Sequence, residues 1–210
     1  VVSVASGSAL ELNGAAQTIA GLTGEGEVNL GSGTLTINGA TDSQFDGAIS
    51  GVGGSLVKAG SNVLTLNGVG SYTGSTSVTG GTLVGNAASI AGSIALSNDA
   101  NVTFNQTVDG TFGNTISGEG SMTKAGDAVL TLTGASNYTG ATRITAGGIK
   151  FGVITATPGV YEGWLNGEFN TSDPNPNSSV QLSTRYADIA YAQSEGTPWV
   201  QNNSTFVYTG

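Results

Sequence analysis

The amino-acid sequence predicts an all-β fold: a parallel β-helix, or β-solenoid, over residues 1–150 and a C-terminal β-rich extension over residues 151–210. Three observations lead to this prediction. Glycine occurs 35 times in 210 residues while only 9% of the residues are charged, which is far from ordinary globular usage. Apolar residues come in short runs that alternate with threonine or serine. These runs recur along the chain at a constant spacing.

The charge balance argues against nucleic acid as a partner. Five Lys and Arg residues oppose 14 Asp and Glu residues, which gives a formal net charge of −9. The five cations are widely separated in the sequence, so they form no basic patch that could bind a phosphate backbone, and nucleic-acid binding is not expected.

No apolar stretch approaches the ~20 residues of a membrane helix, so we predict no transmembrane segment in this chain. The start at Val1, without an export-signal pattern, indicates a mature or partial segment of a longer precursor.

The residue inventory also limits the chemistry. The chain contains no histidine and no cysteine. Ser-His-Asp and Cys-His catalysis, zinc sites with His or Cys ligands, haem ligation and iron–sulfur ligation each need one of these residue types. The sequence therefore assigns no catalytic residue, no cofactor-binding residue and no metal ligand.

Two blocks of sequence match over most of their length. Lys58 corresponds to Lys124 and Tyr72 to Tyr138, and the offset is the same for both pairs (124 − 58 = 66 and 138 − 72 = 66). The matched segments, in order, are Ile49–Gly53 with Ile116–Gly120, Leu56–Gly60 with Met122–Gly126, Val63–Gly68 with Val129–Gly134, and Ser71–Gly74 with Asn137–Gly140. A weaker copy lies upstream, at Gly24–Gly26, Gly33–Gly39 and Phe45–Gly47. Such repetition favours stacked turns of a solenoid over hairpins in a sandwich.

Alternation inside the repeat predicts which side chains are buried. Leu64 and Leu66 alternate with Thr65, and Leu130 and Leu132 alternate with Thr131 in the second block. A period of two is expected where one strand face is buried, so the leucines should face the core and the threonines should face outward. With about 22 residues in each turn, one repeat would make three turns and residues 1–150 about seven. The rod would be about 30 Å long.

The order I-x-G-x-G, L-x-K-x-G, V-L-T-L-x-G, Y-T-G-x-T, G-G resembles the autotransporter-associated β-strand repeat, also called the passenger-associated transport repeat. The segments at residues 9–26 and 100–113 resemble the filler turns between such repeats. One departure is that Ser61-Asn62 and Asp127-Ala128 stand where the family has a small Thr-Gly turn. The resemblance implies a right-handed β-helix in a large exported protein of a Gram-negative-type bacterium.

Composition changes after about residue 150, where all four prolines and both tryptophans lie. This change predicts a domain boundary near residues 152–158. Segments Tyr161–Leu165, Asp173–Asn177 and Ser204–Gly210 resemble the opening of a PA14-like β-sandwich, a module whose relatives often bind carbohydrate. Phe206 stands where that family commonly has tryptophan.

Paired acids are candidates for a glycoside-cleaving site, since β-helix folds do host polysaccharide hydrolases and lyases and two carboxylates can act as acid and base. The candidate pairs are Glu25 with Glu27, Asp42 with Asp46, and Glu162 with Glu168. We expect the first pair on an exposed strand face. Asp42 and Asp46 are expected in a loop with Ser43 and Gln44, where carboxylates cap turns.

Four other patterns have structural interpretations. Gly24-x-Gly26 and Gly118-x-Gly120 lack the lysine and the helix of a nucleotide loop, so we interpret them as turns. Lys58 and Lys124 should have a recurring structural role, and Tyr72 and Tyr138 should be stacked aromatic rings that close a turn. Asp173, Asn175 and Asn177 alternate oxygen donors as a calcium loop does, but three donors are too few to identify a site, so we interpret this segment as an ordinary turn-rich loop.

These observations predict a non-catalytic structural component, a solenoid spacer or wall, of a bacterial extracellular or cell-surface (outer membrane-associated) assembly. The alternative is an adhesin or carbohydrate-binding surface protein, and a polysaccharide-degrading enzyme ranks third. The expected partners are other copies or neighbouring segments of the same protein, stacked end to end through the apolar strand Val1–Val4. Glycans are the other expected partner. No cofactor is expected.

Overall fold

A computed structural model of the chain describes residues 1–152 and 199–200, and every regular element among them is a β-strand. Sheet A contains one strand from each of eight successive turns: β1 (Val2–Val4), β4 (Leu22–Gly24), β7 (Ser43–Phe45), β10 (Val63–Leu66), β13 (Thr82–Gly85), β15 (Asn101–Asn105), β18 (Ser121–Ala125) and β20 (Thr142–Ile144). Sheet C contains β3 (Ala16–Ile19), β6 (Thr34–Asn38), β9 (Ser55–Ala59), β12 (Thr76–Val78), β14 (Ile94–Leu96) and β17 (Ile116–Gly118).

The remaining strands form two four-stranded sheets that occupy the same place in the turn, after a strand of sheet A. Sheet B contains β2 (Ala9–Glu11), β5 (Glu27–Asn29), β8 (Ala48–Gly51) and β11 (Gly70–Tyr72). Sheet D contains β16 (Gly110–Phe112), β19 (Val129–Leu132), β21 (Gly148–Phe151) and β22 (Trp199–Val200). Strands of successive turns pair in parallel, and β22 alone among the described strands pairs antiparallel, with β21. The predicted parallel β-solenoid is confirmed.

The turns are shorter than the sequence predicts. Val63 pairs with Thr82 in the next turn (82 − 63 = 19), and Ser43 pairs with Leu64 (64 − 43 = 21). About eight turns therefore fit where seven turns of about 22 residues were expected. The estimate was wrong because it took the offset between repeats as a whole number of turns.

The core consists of columns of inward-facing side chains that run along the solenoid axis. Leu64 pairs with Leu83 in the next turn, and Leu83 with Val102, and all three side chains are fully buried. Burial of each such side chain stabilises the fold by about 1.5–3 kcal/mol. The predicted core leucines Leu64, Leu66, Leu130 and Leu132 are all buried, whereas Thr65 and Thr131 between them are partly exposed. The predicted face assignment is confirmed.

One segment interrupts the ladder between sheets B and D. Residues 86–92 form a turn there instead of a strand. The Asn86 side-chain oxygen accepts hydrogen bonds from the N–H groups of Ala88 (2.8 Å) and Ser89 (3.0 Å), and Ser89 Oγ accepts one from the Asn86 N–H (2.7 Å). Local side-chain bonds of this kind compete with strand pairing. Sheet B therefore ends at β11, and sheet D begins two turns later at β16.

The last solenoid strand, β21, runs to Phe151. The predicted boundary near residues 152–158 and the predicted PA14-like segments at Tyr161–Leu165, Asp173–Asn177 and Ser204–Gly210 lie outside the described residues. The described residues include no helix that is long and apolar enough to cross a membrane.

Candidate functional site: the repeat corners

The arrangement that recurs in the solenoid is a corner formed after each L-x-K-x-G segment. It contains a buried lysine, a glycine with positive φ and, in the preceding turn, an aspartate. Within residues 1–152, no group of three or more His, Cys, Asp or Glu side chains is placed to hold a metal ion. The chemistry of the corner is therefore that of one ammonium group and backbone carbonyl groups.

Lys58 lies in β9 at a position that points into the core. Its column neighbours are Ile37 in the turn before and Val78 in the turn after, and its side chain is fully buried. The ammonium group donates hydrogen bonds to the carbonyl oxygens of Ala59 (2.7 Å), Gly60 (3.1 Å) and, one turn later, Gly80 (3.1 Å). The lysine therefore joins two successive turns at their corner.

Lys124 reproduces this arrangement one repeat later. Its ammonium group donates to the carbonyl oxygens of Ala125 (2.6 Å), Gly126 (2.8 Å) and Ala146 (3.3 Å), and its side chain is also fully buried. All three donors of each ammonium group thus have acceptors, as a buried charge requires. The predicted structural role of the two lysines agrees with this geometry.

The electrostatic environment of the corner acts on each ammonium group in two directions. Burial lowers the pKa of Lys58 below its ordinary value of 10.5, and the negative charge of Asp42 opposes this effect. Burial likewise lowers the pKa of Lys124, against the charges of Asp127 and Asp109. In both corners desolvation is the larger effect.

The glycine that follows the lysine is required by the stacking of the turns. Gly60 has φ +72°, and a Cβ atom there would lie 2.2 Å from the carbonyl oxygen of Gly39. Gly126 has φ +75°, and its Cβ would lie 2.2 Å from the carbonyl oxygen of Gln106. Only glycine satisfies both the conformation and the close approach.

An aspartate from the turn before caps the strand that leaves each corner. Asp42 Oδ1 accepts a hydrogen bond from the Val63 N–H (2.8 Å), and Asp109 Oδ1 accepts one from the Val129 N–H (2.8 Å). The capping role predicted for Asp42 is therefore observed. Asp109 was missed, although its position relative to Val129 nearly repeats that of Asp42 relative to Val63 and provides the signal.

Asp46 does not pair with Asp42 to form an acid–base site. The loop predicted for these residues is wrong, because Ser43–Phe45 is strand β7 and the two aspartates flank its ends. Asp46 Oδ1 accepts hydrogen bonds from Asn67 Nδ2 (2.6 Å) and Gln44 Nε2 (2.9 Å). Four steps of extended chain separate the two α-carbons by about 13 Å, and the two carboxylates are bonded at opposite ends of β10, to the Val63 N–H and to Asn67 Nδ2.

Glu25 and Glu27, the other acidic pair among the described residues, show no catalytic grouping. Glu25 and Glu27 are exposed, as expected. Glu27 Oε1 accepts a hydrogen bond from Ser50 Oγ (3.1 Å). Glu162, Glu168, Asp173, Asn175 and Asn177 lie outside the described residues.

The two tyrosines of the repeat are buried, and the hydroxyl group of each is hydrogen-bonded to a threonine. The Tyr72 hydroxyl shares a hydrogen bond with Thr76 Oγ1 (2.7 Å) and accepts one from the Ala91 N–H (3.2 Å). Tyr138 and Thr142 make the equivalent hydroxyl pair. The close ring pair among the described residues joins Phe104 and Phe112, with centroids 5.1 Å apart. The predicted stacking is wrong for Tyr72, whose hydroxyl makes these hydrogen bonds and whose ring has no partner ring among the described residues.

Gly24 and Gly118 are the last residues of β4 and β17, and the predicted turns follow them at Glu25-Gly26 and Glu119-Gly120. The φ values of Gly24 and Gly118 are +108° and +102°. A Cβ at Gly24 would lie 2.1 Å from the Val4 carbonyl oxygen, and one at Gly118 would lie 2.0 Å from the Leu96 carbonyl oxygen. Glycine is required at both positions because a side chain would clash with a backbone carbonyl group of the neighbouring turn.

Comparison with known proteins agrees with this architecture. No curated protein and no solved structure matches the chain, and no comparison supports a PA14-like module. A sequence model of the passenger-associated-transport-repeat family matches residues 56–84 and 122–150. Each matched segment contains the buried lysine, the corner glycine and the tyrosine–threonine pair of one repeat, so the chain is similar to this family in the residues that build the corners.

Proposed function

We propose that the chain is a non-catalytic structural segment, a solenoid spacer or wall, of a bacterial extracellular or cell-surface assembly. The observation that carries this proposal is sheet A, in which eight successive turns contribute one strand each without interruption. Seven intervals of about 4.8 Å give the stacked strands a length of about 34 Å. The two buried lysines, Lys58 and Lys124, donate hydrogen bonds that join successive turns.

The outer faces of the solenoid support a spacer. Along sheet A the outward column contains short polar side chains at most turns: Ser3, Thr23, Gln44, Thr65, Thr103 and Thr123. Five of the six aromatic rings in residues 1–152 are buried, and Phe151 is partly buried. Ligand sites are usually concave and lined by apolar and aromatic side chains. The described faces therefore favour a spacer over a glycan-binding surface.

The family match supports the proposed location, and the stacking of the turns supports the proposed partners. A passenger-associated-transport repeat is consistent with an exported passenger at the cell surface or in the medium. Other copies or neighbouring segments of the protein would make contact through the same stacking that joins the turns, because a parallel ladder extends by adding a turn in register.

A replacement experiment in the full-length protein on its producing cells tests the spacer. One variant lacks residues 1–152, and a second carries an unrelated eight-turn solenoid in their place. Super-resolution imaging measures the height of a terminal tag above the cell surface. We expect the deletion to lower the tag and the replacement to restore its height together with the activity of the whole assembly.

The control variant keeps the native solenoid but carries three outward substitutions, Thr65→Lys, Thr103→Lys and Thr123→Lys. If the solenoid is a spacer, these substitutions should change neither the height of the tag nor the activity of the assembly. Loss of assembly activity in the replacement and in this control, with the height of the tag preserved, would overturn the proposal. Such a result, or specific glycan binding by residues 1–210 on an array, would assign a recognition function to the outer faces.

A further inference from the structure

Three Asn-Gly pairs lie in the described part of the solenoid, at Asn13-Gly14, Asn38-Gly39 and Asn67-Gly68. In such a pair the glycine nitrogen can attack the side-chain carbonyl carbon of the asparagine, because no Cβ hinders the approach. The attack requires that the asparagine side-chain amide rotates and that the backbone moves out of its resting conformation. The three pairs differ in how strongly hydrogen bonds and packing restrain these two movements.

Asn67 is restrained through its side chain and its backbone. Its Nδ2 donates a hydrogen bond of 2.6 Å to Asp46 Oδ1. Its N–H donates to the Phe45 carbonyl oxygen at 3.0 Å. Rotation of the amide therefore requires loss of a charge-assisted hydrogen bond.

Asn38 is restrained through its backbone. It is the last residue of β6, and its pairing partner is Ala59 in β9. The next residue, Gly39, packs so tightly that a Cβ there would lie 1.9 Å from the Ala20 carbonyl oxygen. Movement at this pair requires separation of stacked turns.

Asn13 has no side-chain hydrogen bond and no strand partner, and the backbone bond that closes the turn around it runs from the Ala15 N–H to the Leu12 carbonyl oxygen (2.9 Å). It lies in the turn between β2 and β3, with φ +51°, and its side chain is exposed. Neither its side-chain amide nor the Gly14 N–H has a hydrogen-bond partner among the described residues. The free energy of local opening is lowest where backbone bonds are few.

We propose that Asn13 is the site of spontaneous covalent modification in this solenoid, through attack of the Gly14 nitrogen on its side-chain amide. The Gly14 nitrogen loses its proton to solvent and bonds to Cγ of Asn13. The Nδ2 group takes up a proton from solvent as the bond from Cγ to Nδ2 breaks, and ammonia leaves. Water then opens the five-membered imide at either carbonyl and gives aspartate or isoaspartate at position 13. No oxidant or other reactant is needed.

The product changes the turn in two ways. Aspartate or isoaspartate adds a negative charge two residues from Glu11 in a chain that is already acidic. Isoaspartate also adds one backbone atom where Gly14 packs against Ser32 and Gly31 of the next turn. This modification is independent of the proposed spacer function, which would stand if Asn13 proved unreactive.

Peptide mapping by mass spectrometry tests the proposal on the full chain, incubated in its folded state at mildly alkaline pH. The exchange of the amide for a carboxyl group raises the mass of the peptide, and chromatography separates aspartate from isoaspartate. We expect modification at Asn13 roughly tenfold or more faster than at Asn38 or Asn67. The variant Asn13→Gln should remove the fast phase without changing the other two sites.

A matched variant tests the restraint at Asn67. Asp46→Ala removes the acceptor of the Asn67 amide and should raise the rate at Asn67 while the rate at Asn13 is unchanged. Unfolded chain in urea provides the reference, in which the three rates should converge. Equal rates at the three sites in the folded chain, or a slower rate at Asn13 than at Asn38, would overturn the proposal.

Discussion

Leu64 and Leu130 occupy the same position of the sequence repeat but lie on different faces of the solenoid. Leu64 belongs to β10 in sheet A, whereas Leu130 belongs to β19 in sheet D. The same shift moves the buried lysine from sheet C, at Lys58, to sheet A, at Lys124. Because the turns are shorter than one third of the repeat, each repeat spans three turns and one further face. The lysine corner therefore has the same geometry after a strand of sheet C, at Lys58, and after a strand of sheet A, at Lys124.

Replacement of a core leucine tests the inward column. Leu130 is fully buried, so Leu130→Asp places an unpaired charge in the core and should cost about 3–5 kcal/mol of unfolding free energy. Thr131→Asp, next to it on the outward side, should change that energy by less than about 1 kcal/mol. Urea denaturation of both variants measures the difference. Equal effects of the two substitutions would contradict the face assignment.

Removal of the buried ammonium group tests the corner. Lys58→Met preserves the length of the apolar stem but leaves the carbonyl oxygens of Ala59, Gly60 and Gly80 without this donor. We expect a loss of about 1–3 kcal/mol in the free energy of unfolding. Lys150→Met, on the exposed side of β21, is the matched control and should have an effect near zero. A Lys58→Met variant more stable than the parent would show that desolvation of the ammonium outweighs its hydrogen bonds.

The pH dependence of stability tests the lowered lysine pKa. Burial lowers the pKa of Lys58 and of Lys124 from 10.5. Between the lowered value and 10.5, the unfolded chain binds more protons than the folded chain, so this contribution to stability rises with pH and is lost as pH falls. The stability of the parent relative to the double variant Lys58→Met/Lys124→Met should therefore increase as pH rises toward 10.5. Denaturation of both proteins across this range measures it, and a decrease would mean that the carbonyl oxygens hold the ammonium groups charged.

A glycine substitution tests the close approach of turns. Gly60→Ala places a methyl group 2.2 Å from the Gly39 carbonyl oxygen at φ +72°. Strain and displacement of the turn should cost about 1–3 kcal/mol. Gly113→Ala is the control, because its Cβ would meet Thr133 Oγ1 at 3.5 Å, an ordinary contact, without a positive φ. Thermal melting should show a large decrease for the first variant and almost none for the second.

The amino-acid sequence by itself determined the class of fold and the faces of its strands. Alternation in Leu64-Thr65-Leu66 follows from the period of two in a strand, which needs no knowledge of neighbours. Recurrence of the lysine, glycine and tyrosine at a constant offset predicted a stacked repeat with structural corners. Alternation and recurrence can both be recognised in the order of the residues, without knowledge of any tertiary contact.

Tertiary structure decided the features that depend on contacts between turns. The length of a turn depends on how the corners close, and no local pattern measures it. The Lys58 ammonium group is hydrogen-bonded to the carbonyl oxygen of Gly80, 22 residues away, and Tyr72 is hydrogen-bonded to the Ala91 N–H, 19 residues away. Asp42 caps Val63 across the same kind of distance. Sequence alone cannot give these partners, because stacking brings them together only after the register between turns is established.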